Sequence, residues 1–209
     1  MIPEGLRQYI EQEIIPRYAG FDKAHNVEHV RTVMAESLAL AAQFPDEADE
    51  RLVYTIAAYH DTGLCEDRKT HHLVSGRLLA ADEQLKQWFT PEEIILMREA
   101  VEDHRASSDH QPRSLYGRIV AEADRIIDPD ITLRRTVQYG LRQAPEADAA
   151  WHYQRFRQHL MEKYAPGGYL KLYFPQGKNA ERLRLLQSII ADEPLLQATF
   201  TRLFREESR

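Results

Sequence analysis

The sequence has little of several features that define whole classes of protein. A single cysteine excludes an intrachain disulfide and a zinc site built from cysteines alone. No apolar run is long enough for a membrane-spanning helix, and the first residues lack the apolar core of a signal peptide. Alternation of β-branched and polar residues is almost absent, which argues against a β-rich fold. We therefore expect a cytoplasmic protein with no membrane partner.

The charge of the chain disfavours one class of partner. A formal net charge of −6 argues against binding to a nucleic acid polymer. Residues 1–154 carry 17 basic and 27 acidic side chains, whereas residues 155–209 carry 10 and 6. Chance clustering on solvated helix faces is the simpler interpretation of this bias, and a surface that receives an anion is the other.

What the sequence does contain predicts an all-α protein of one domain. Its composition, 43% apolar and 29% charged, is typical of a globular protein. A capping box at residues 90–93 and Gly63, expected in the position that follows a helix end, support the predicted boundaries. The predicted helices span about 4–18, 25–43, 47–62, 70–88, 91–105, 114–127, 131–143, 147–164, 179–191 and 194–206. Residues 165–178 are expected to form an aromatic-rich loop with a short extended piece.

Ionisable side chains interrupt the apolar faces of several predicted helices. Two columns in the third helix are apolar until they reach a histidine or an aspartate: Leu52, Ile56 and His60, and Val53, Ala57 and Asp61. His29, His72, His104 and Asp124 continue the pattern on other helices. A buried carboxylate needs a compensating cation, which is either a basic side chain such as Arg125 or a metal ion. Because several helices each carry such a group inward, the pattern favours a shared metal centre.

The same residues resemble the motif of a known family. His29 in HVRTVM, the pair His60-Asp61 in AAYHDTG and Asp124 in AEADRI are similar to the motifs of HD-domain metal-dependent phosphohydrolases. The resemblance implies one HD-type domain over residues 1–209. Its core would be a helical bundle at about 22–130, followed by a C-terminal helical extension at about 131–209. The resemblance also implies one or two divalent transition metal ions, such as Fe, Mn, Zn, Co or Ni.

Two further segments resemble a six-ligand subset of that family. HHLVSG at 71–76 and AVEDHR at 100–105 are similar to its two additional histidines. On this resemblance, one metal is held by His29, His60, Asp61 and Asp124. Asp61 would bridge to a second metal that His72 and His104 bind. His72 is preferred because it stands four residues before Gly76, as in the subset, and His71 stays an alternative.

The resemblance implies hydrolysis of a phosphate ester or anhydride of a small phosphorylated metabolite or nucleotide by a metal-bound hydroxide. Candidate catalytic residues beside Asp61 are Glu66, Asp67, Arg68 and Lys69. Candidate substrate-binding residues are His25, Arg105, Tyr169, Lys171 and Lys178. Leu64 stands where nucleotidase-like relatives place an acidic residue, so their general base is not carried over. The alternatives are a di-iron oxygenase, a catalytically silent nucleotide sensor and a purely structural protein, and a homo-oligomer is compatible with each.

Overall fold

A computed structural model describes residues 1–22, 24–106, 108 and 110–208 of the chain. Within these residues the protein contains ten α-helices and no β-strand, so the predicted all-α class is confirmed. The helices are α1 (Glu4–Tyr9), α2 (Val27–Ala41), α3 (Glu50–Tyr59), α4 (His71–Ala80), α5 (Pro91–Glu102), α6 (Leu115–Asp124), α7 (Pro129–Gln143), α8 (Ala149–Tyr164), α9 (Lys178–Ala191) and α10 (Glu193–Glu207). None of the helices in the described part of the chain combines the length and apolarity needed to cross a bilayer.

The chain divides into two compact units, Met1–Ile126 and Ile127–Arg209. The first contains α1 to α6, and the second contains α7 to α10. The expected core at about 22–130 falls almost entirely in the first unit, and the expected extension at about 131–209 falls in the second. A single domain over the whole chain stays a prediction.

In the first unit, α3 is the central helix. Eight consecutive residues, 52–59, are buried, so neighbours cover its whole circumference. α2, α4, α5 and α6 all pack against it. Its N-terminus is capped by the Asp49 carboxylate, which accepts a hydrogen bond of 2.8 Å from the Arg51 amide. The buried end of α3 therefore delivers its following residues, His60 and Asp61, into the interior of the unit.

The prediction of one α-helix over residues 4–18 is wrong beyond residue 9. α1 ends at Tyr9, a π-helical turn covers Ile10–Ile14, and a 3-10 turn covers Ile15–Gly20. Pro16 lies at the start of the 3-10 turn and has no amide hydrogen with which to continue the α-helical pattern. The change of helix type leaves Tyr18 fully buried.

The predicted end of the third helix and the expected role of Gly63 are also wrong. α3 ends at Tyr59, and a 3-10 turn, Thr62–Cys65, follows Asp61. Among the described residues only Gly167 has a positive φ, of 84°, so Gly63 is no left-handed helix terminus. A Cβ atom on Gly63 would overlap the His71 carbonyl oxygen and stand 2.6 Å from the Ser75 amide nitrogen. Glycine is needed here because the turn lies directly against α4.

Two other predicted helices end early. The helix predicted at 70–88 stops at Ala80 and is followed by a 3-10 turn, Glu83–Gln87, whose N-terminus Asp82 caps. The helix predicted at 91–105 stops at Glu102, so His104 lies just beyond α5. The capping box between Thr90 and Glu93 at the start of α5 is confirmed.

In the second unit, four helices pack around an apolar core. Their inward residues include Leu133, Val137, Phe156, Leu160, Leu186, Ile190, Leu196, Phe200 and Leu203. Aspartate side chains cap α7, α8 and α10. The segment between α8 and α9 is the loop that the sequence predicts, but the short extended piece expected there is not found among its described residues.

Candidate metal centre

Three elements of the first unit bring together four side chains that could bind a metal ion. His29 lies in the first turn of α2, where the Asn26 side chain accepts a hydrogen bond of 3.0 Å from its amide. His60 follows α3 directly, and Asp124 is the last residue of α6. His29 Nε2 lies 3.2 Å from His60 Nε2 and 3.2 Å from Asp124 Oδ1. With Asp61, these residues form a first group of converging donor atoms.

A second group shares Asp61 with the first. His71 Nε2 lies 3.1 Å from His104 Nε2. These two nitrogens lie 3.3 and 3.5 Å from Asp61 Oδ1. The other carboxylate oxygen, Oδ2, faces the first group, 3.2 Å from His60 Nε2 and 3.5 Å from His29 Nε2. Asp61 therefore presents one oxygen to each pair of histidines.

The preference for His72 as a ligand is corrected to His71. Neighbouring residues of a helix point about 100° apart, so only one of the two can face Asp61. The column of His72 and Gly76 turns toward α5, because a Cβ atom on Gly76 would stand 2.8 Å from Glu102 Cγ. His72 belongs to neither donor group among the residues searched.

Backbone carbonyls orient three of the histidines. Each ring places Nδ1 against the carbonyl oxygen three residues earlier: His60 on Ala57 at 2.7 Å, His71 on Arg68 at 2.8 Å and His104 on Val101 at 2.6 Å. When Nδ1–H donates to that carbonyl, the neutral ring turns the lone pair of Nε2 toward the centre. This is the orientation that a metal-binding imidazole requires.

The donor atoms pass a simple test for a metal. Two Nε2 lone pairs only 3.1 Å apart, as in His71 and His104, repel unless a proton or a metal ion lies between them. Metal–nitrogen bonds of about 2.0–2.1 Å place two tetrahedral ligands about 3.3 Å apart. The contacts of histidine Nε2 atoms at this centre run from 3.1 to 3.8 Å, and all donor atoms of each group lie within 4.8 Å of one another. The histidines and carboxylates therefore fit a divalent metal, and their nature favours a transition metal over Ca²⁺.

In the absence of metal, the histidines of the centre compensate the negative charge of Asp61 and Asp124. Burial works against ionisation of Asp124, but the hydrogen bond from His29 and the charge of His60 outweigh it and lower the pKa to about 2. The same balance, led by His60, holds the pKa of Asp61 well below its usual value. Burial opposes protonation of His29, yet its bonds to the two aspartates raise its pKa to about 9. Both carboxylates are thus ionised at neutral pH, as metal binding would require.

Basic side chains expected to bind substrate lie around Asp22. The Asp22 carboxylate bonds His25 Nδ1 at 2.8 Å and Arg68 Nη1 at 2.9 Å. The ring of His25 lies 5.6 Å from the ring of His29, edge to face. His25 and Arg68 are therefore tied to one carboxylate, and His25 borders the first donor group.

The other candidates lie on the loop before α4, just beyond α5, or in the second unit. Arg105 donates a hydrogen bond of 2.5 Å to the Lys69 carbonyl, and the Lys69 amide donates one of 3.2 Å to Asp67. Glu66 is exposed and pairs with Arg77 at 2.5 Å. Tyr169, Lys171 and Lys178 belong to the second unit. The catalytic and substrate-binding roles expected for all of these residues stay predictions.

One contact of the centre was missed by the sequence analysis. The hydroxyl of Tyr18 donates a hydrogen bond of 2.9 Å to the Ala58 carbonyl and accepts one of 3.2 Å from the Asp61 amide. Burial raises the pKa of Tyr18 well above its usual value, so the hydroxyl keeps its proton. The only local signal was an apolar column of residues four apart, formed by Leu6, Ile10, Ile14 and Tyr18.

The comparison with protein families agrees with this geometry. Residues 26–127 match the family described as HD domain. The chain therefore contains an HD domain, and the resemblance inferred from the motifs is confirmed. Members of this superfamily are mostly hydrolases, and some have other roles. No curated protein and no solved structure shows significant similarity to the chain.

Proposed function

We propose that the protein is a two-metal phosphohydrolase that cleaves a phosphate ester or anhydride of a small phosphorylated metabolite or nucleotide. The observation that carries this proposal is the position of Asp61, whose two carboxylate oxygens face separate pairs of histidines. A shared carboxylate between two donor groups is what a centre of two close metal ions requires.

The ligands divide between the two ions. His29, His60, Asp61 and Asp124 would hold the first, and Asp61, His71 and His104 would hold the second. The mixture of imidazole and carboxylate suits Fe, Mn, Zn, Co or Ni. Carbonyl bonds to three of the rings keep Nε2 turned inward, so the chain pre-organises the centre before any ion binds.

A pair of divalent ions supplies a nucleophilic water near neutral pH and charge stabilisation for a phosphoryl group. Around it, the chain would hold the substrate with His25, Arg68, Lys69 and Arg105. Because Asp22 already occupies His25 and Arg68, an anionic substrate would have to compete with that carboxylate. Such competition favours substrates with several negative charges, as in phosphate anhydrides.

The test combines elemental analysis with a substrate screen. Protein purified without added metal should contain a transition metal, and it should release phosphate from some members of a panel of nucleotides, sugar phosphates and dinucleoside polyphosphates. Chelation should abolish turnover, and readdition of the same metal should restore it. A metal-loaded protein that binds nucleotides tightly without turnover would instead indicate a sensor, and a protein that never takes up metal would contradict the proposal.

A di-iron oxygenase is the second candidate. Four histidines and a bridging carboxylate are also a suitable ligand set for two iron ions. The distinguishing measurement is oxygen consumption by the iron-loaded protein with polyol or phosphonate substrates. Substrate-dependent uptake of O₂ would favour the oxygenase, whereas phosphate release under nitrogen would favour the hydrolase.

A further inference from the structure

Tyr18 reaches the metal centre from outside the segment that matches the HD family. It lies on the 3-10 turn Ile15–Gly20, before the matched residues 26–127. Its side chain is fully buried, and its ring centre is 6.2 Å from that of His60. The N-terminal segment therefore packs against the same end of α3 that carries the His60-Asp61 pair.

The hydroxyl of Tyr18 binds the backbone on both sides of His60. It donates to the carbonyl of Ala58 at 2.9 Å and accepts from the amide of Asp61 at 3.2 Å. Because α3 ends at Tyr59, the carbonyls of its last turn need partners from outside the helix. Ala57 finds one in the His60 ring, and Ala58 finds one in Tyr18.

Packing alone does not explain a tyrosine at this position. The preceding members of its column, Leu6, Ile10 and Ile14, are apolar and fully buried, and phenylalanine would continue that column equally well. A buried hydroxyl is tolerated only when it is hydrogen-bonded. Both hydrogen bonds of this hydroxyl join it to backbone groups beside His60, the Ala58 carbonyl and the Asp61 amide.

We propose that Tyr18 is a positioning residue, whose hydroxyl holds the backbone between Ala58 and Asp61 and so aims the His60 ring and the Asp61 carboxylate at the metals. The proposal rests on the proposed function only in requiring that the centre binds metal. On this proposal the N-terminal segment helps to orient the metal ligands.

The test compares Tyr18→Phe with Tyr9→Phe in the full-length protein. Tyr9 lies in the same N-terminal segment, and its hydroxyl also makes a hydrogen bond, partly buried and 2.5 Å long, but to Asp82 and not to the motif. Groups that orient metal ligands typically contribute about tenfold to a hundredfold in metal affinity. Tyr18→Phe should therefore weaken metal binding by about tenfold or more, whereas Tyr9→Phe should leave it unchanged, as measured by competition with a chromophoric chelator.

A second readout does not involve metal. In the metal-free wild-type protein the Asp61 amide should exchange slowly with solvent, and in Tyr18→Phe it should exchange faster, with no such change in Tyr9→Phe. A wild-type Asp61 amide without protection would overturn the proposal even if Tyr18→Phe failed to fold.

The outcomes separate the two proposals. If the wild-type protein binds metal and Tyr18→Phe binds it equally tightly, only the role of Tyr18 is refuted. The same conclusion follows if Tyr9→Phe loses as much affinity as Tyr18→Phe, because the effect would then be general destabilisation. If the wild-type protein binds no metal at all, the proposed function is refuted, and this inference with it.

Discussion

The two units of the chain bury different kinds of side chain. The first unit encloses ionisable groups, among them His60, Asp61, Asp103, His104 and Glu122. In the described part of the second unit, the buried side chains with polar atoms are Thr132, Thr136 and His152. Its carboxylates lie at the surface, where they form ion pairs such as Arg157 with Glu193 at 3.0 Å.

This difference separates structural packing from chemistry. Burying a carboxylate is costly unless a cation compensates it, so an apolar core is the cheaper way to hold helices together. The second unit follows that solution. The first unit departs from it most clearly around the end of α3, where two ionised aspartates and four histidines meet. Elsewhere in that unit, buried Asp103 is compensated by Arg113, whose Nε donates a hydrogen bond of 3.0 Å to it. The departure is understandable if the compensating cations are metal ions.

The largest effect is expected from Asp61→Asn, which removes the carboxylate shared by both donor groups. Metal content should fall sharply, and kcat/KM for phosphate release should drop by roughly a thousandfold or more, since two-metal charge stabilisation contributes several kcal/mol and each 1.4 kcal/mol is about tenfold. Asp128→Asn makes the same chemical change in the second unit, at the cap of α7, where asparagine serves as well. Full activity in Asp61→Asn would exclude the proposed centre.

In the second unit the corresponding change is Phe156→Ala, which opens a cavity among fully buried apolar side chains. It should lower the free energy of unfolding by about 3–5 kcal/mol, as read from urea denaturation. Met161→Ala, on the exposed side of the same helix, should change it little. The folded fraction of Phe156→Ala should keep the wild-type metal affinity, and a loss of affinity would mean that the second unit contributes to the centre.

Within the first unit, His71→Ala and His72→Ala test which of the two neighbouring histidines binds metal. His71 faces Asp61 at 3.3 Å, so its loss should remove about one of two metal equivalents while the first group stays intact. His72→Ala should retain both equivalents. Elemental analysis of the two proteins prepared in parallel decides between them, and the reverse result would restore the assignment first expected from the sequence.

A smaller effect is expected in the pH dependence of the metal-free protein. The pKa of His29 is about 9 in the folded chain and 6.5 in a free side chain. Its stabilising contribution is therefore fully present below about pH 6.5 and is lost as the pH rises through about 9.

A bound metal replaces the proton on His29, so the loaded protein should not lose stability over that range. Urea midpoints measured across it, with metal and with chelator, give the contrast. His29→Gln should reduce the decline in the metal-free protein, and the raised pKa of His104 leaves a smaller decline in place. Parallel pH profiles with and without metal would contradict the assignment of His29 as a ligand.

Much of the fold and part of the site could be predicted from the sequence. All ten α-helices lie within or close to predicted segments, because helix periodicity and capping depend on neighbouring residues. The ends were less predictable. The first predicted helix changes type twice, at Ile10 and at Ile15, and α3 stops at Tyr59 rather than at the expected glycine. Gly63 is required instead by its contact with α4.

The all-α class and five of the ligand candidates could be inferred from local patterns, since each candidate stands at a regular interval from apolar residues of its own segment. The choice of His71 over His72 needed the packed helices, because the rotation of α4 about its axis depends on how Gly63 and Gly76 pack against other elements. The contact of Tyr18 with the motif joins residues 40 apart in the chain. No local periodicity reports such a contact, because it arises only when the N-terminal turn packs on the end of α3.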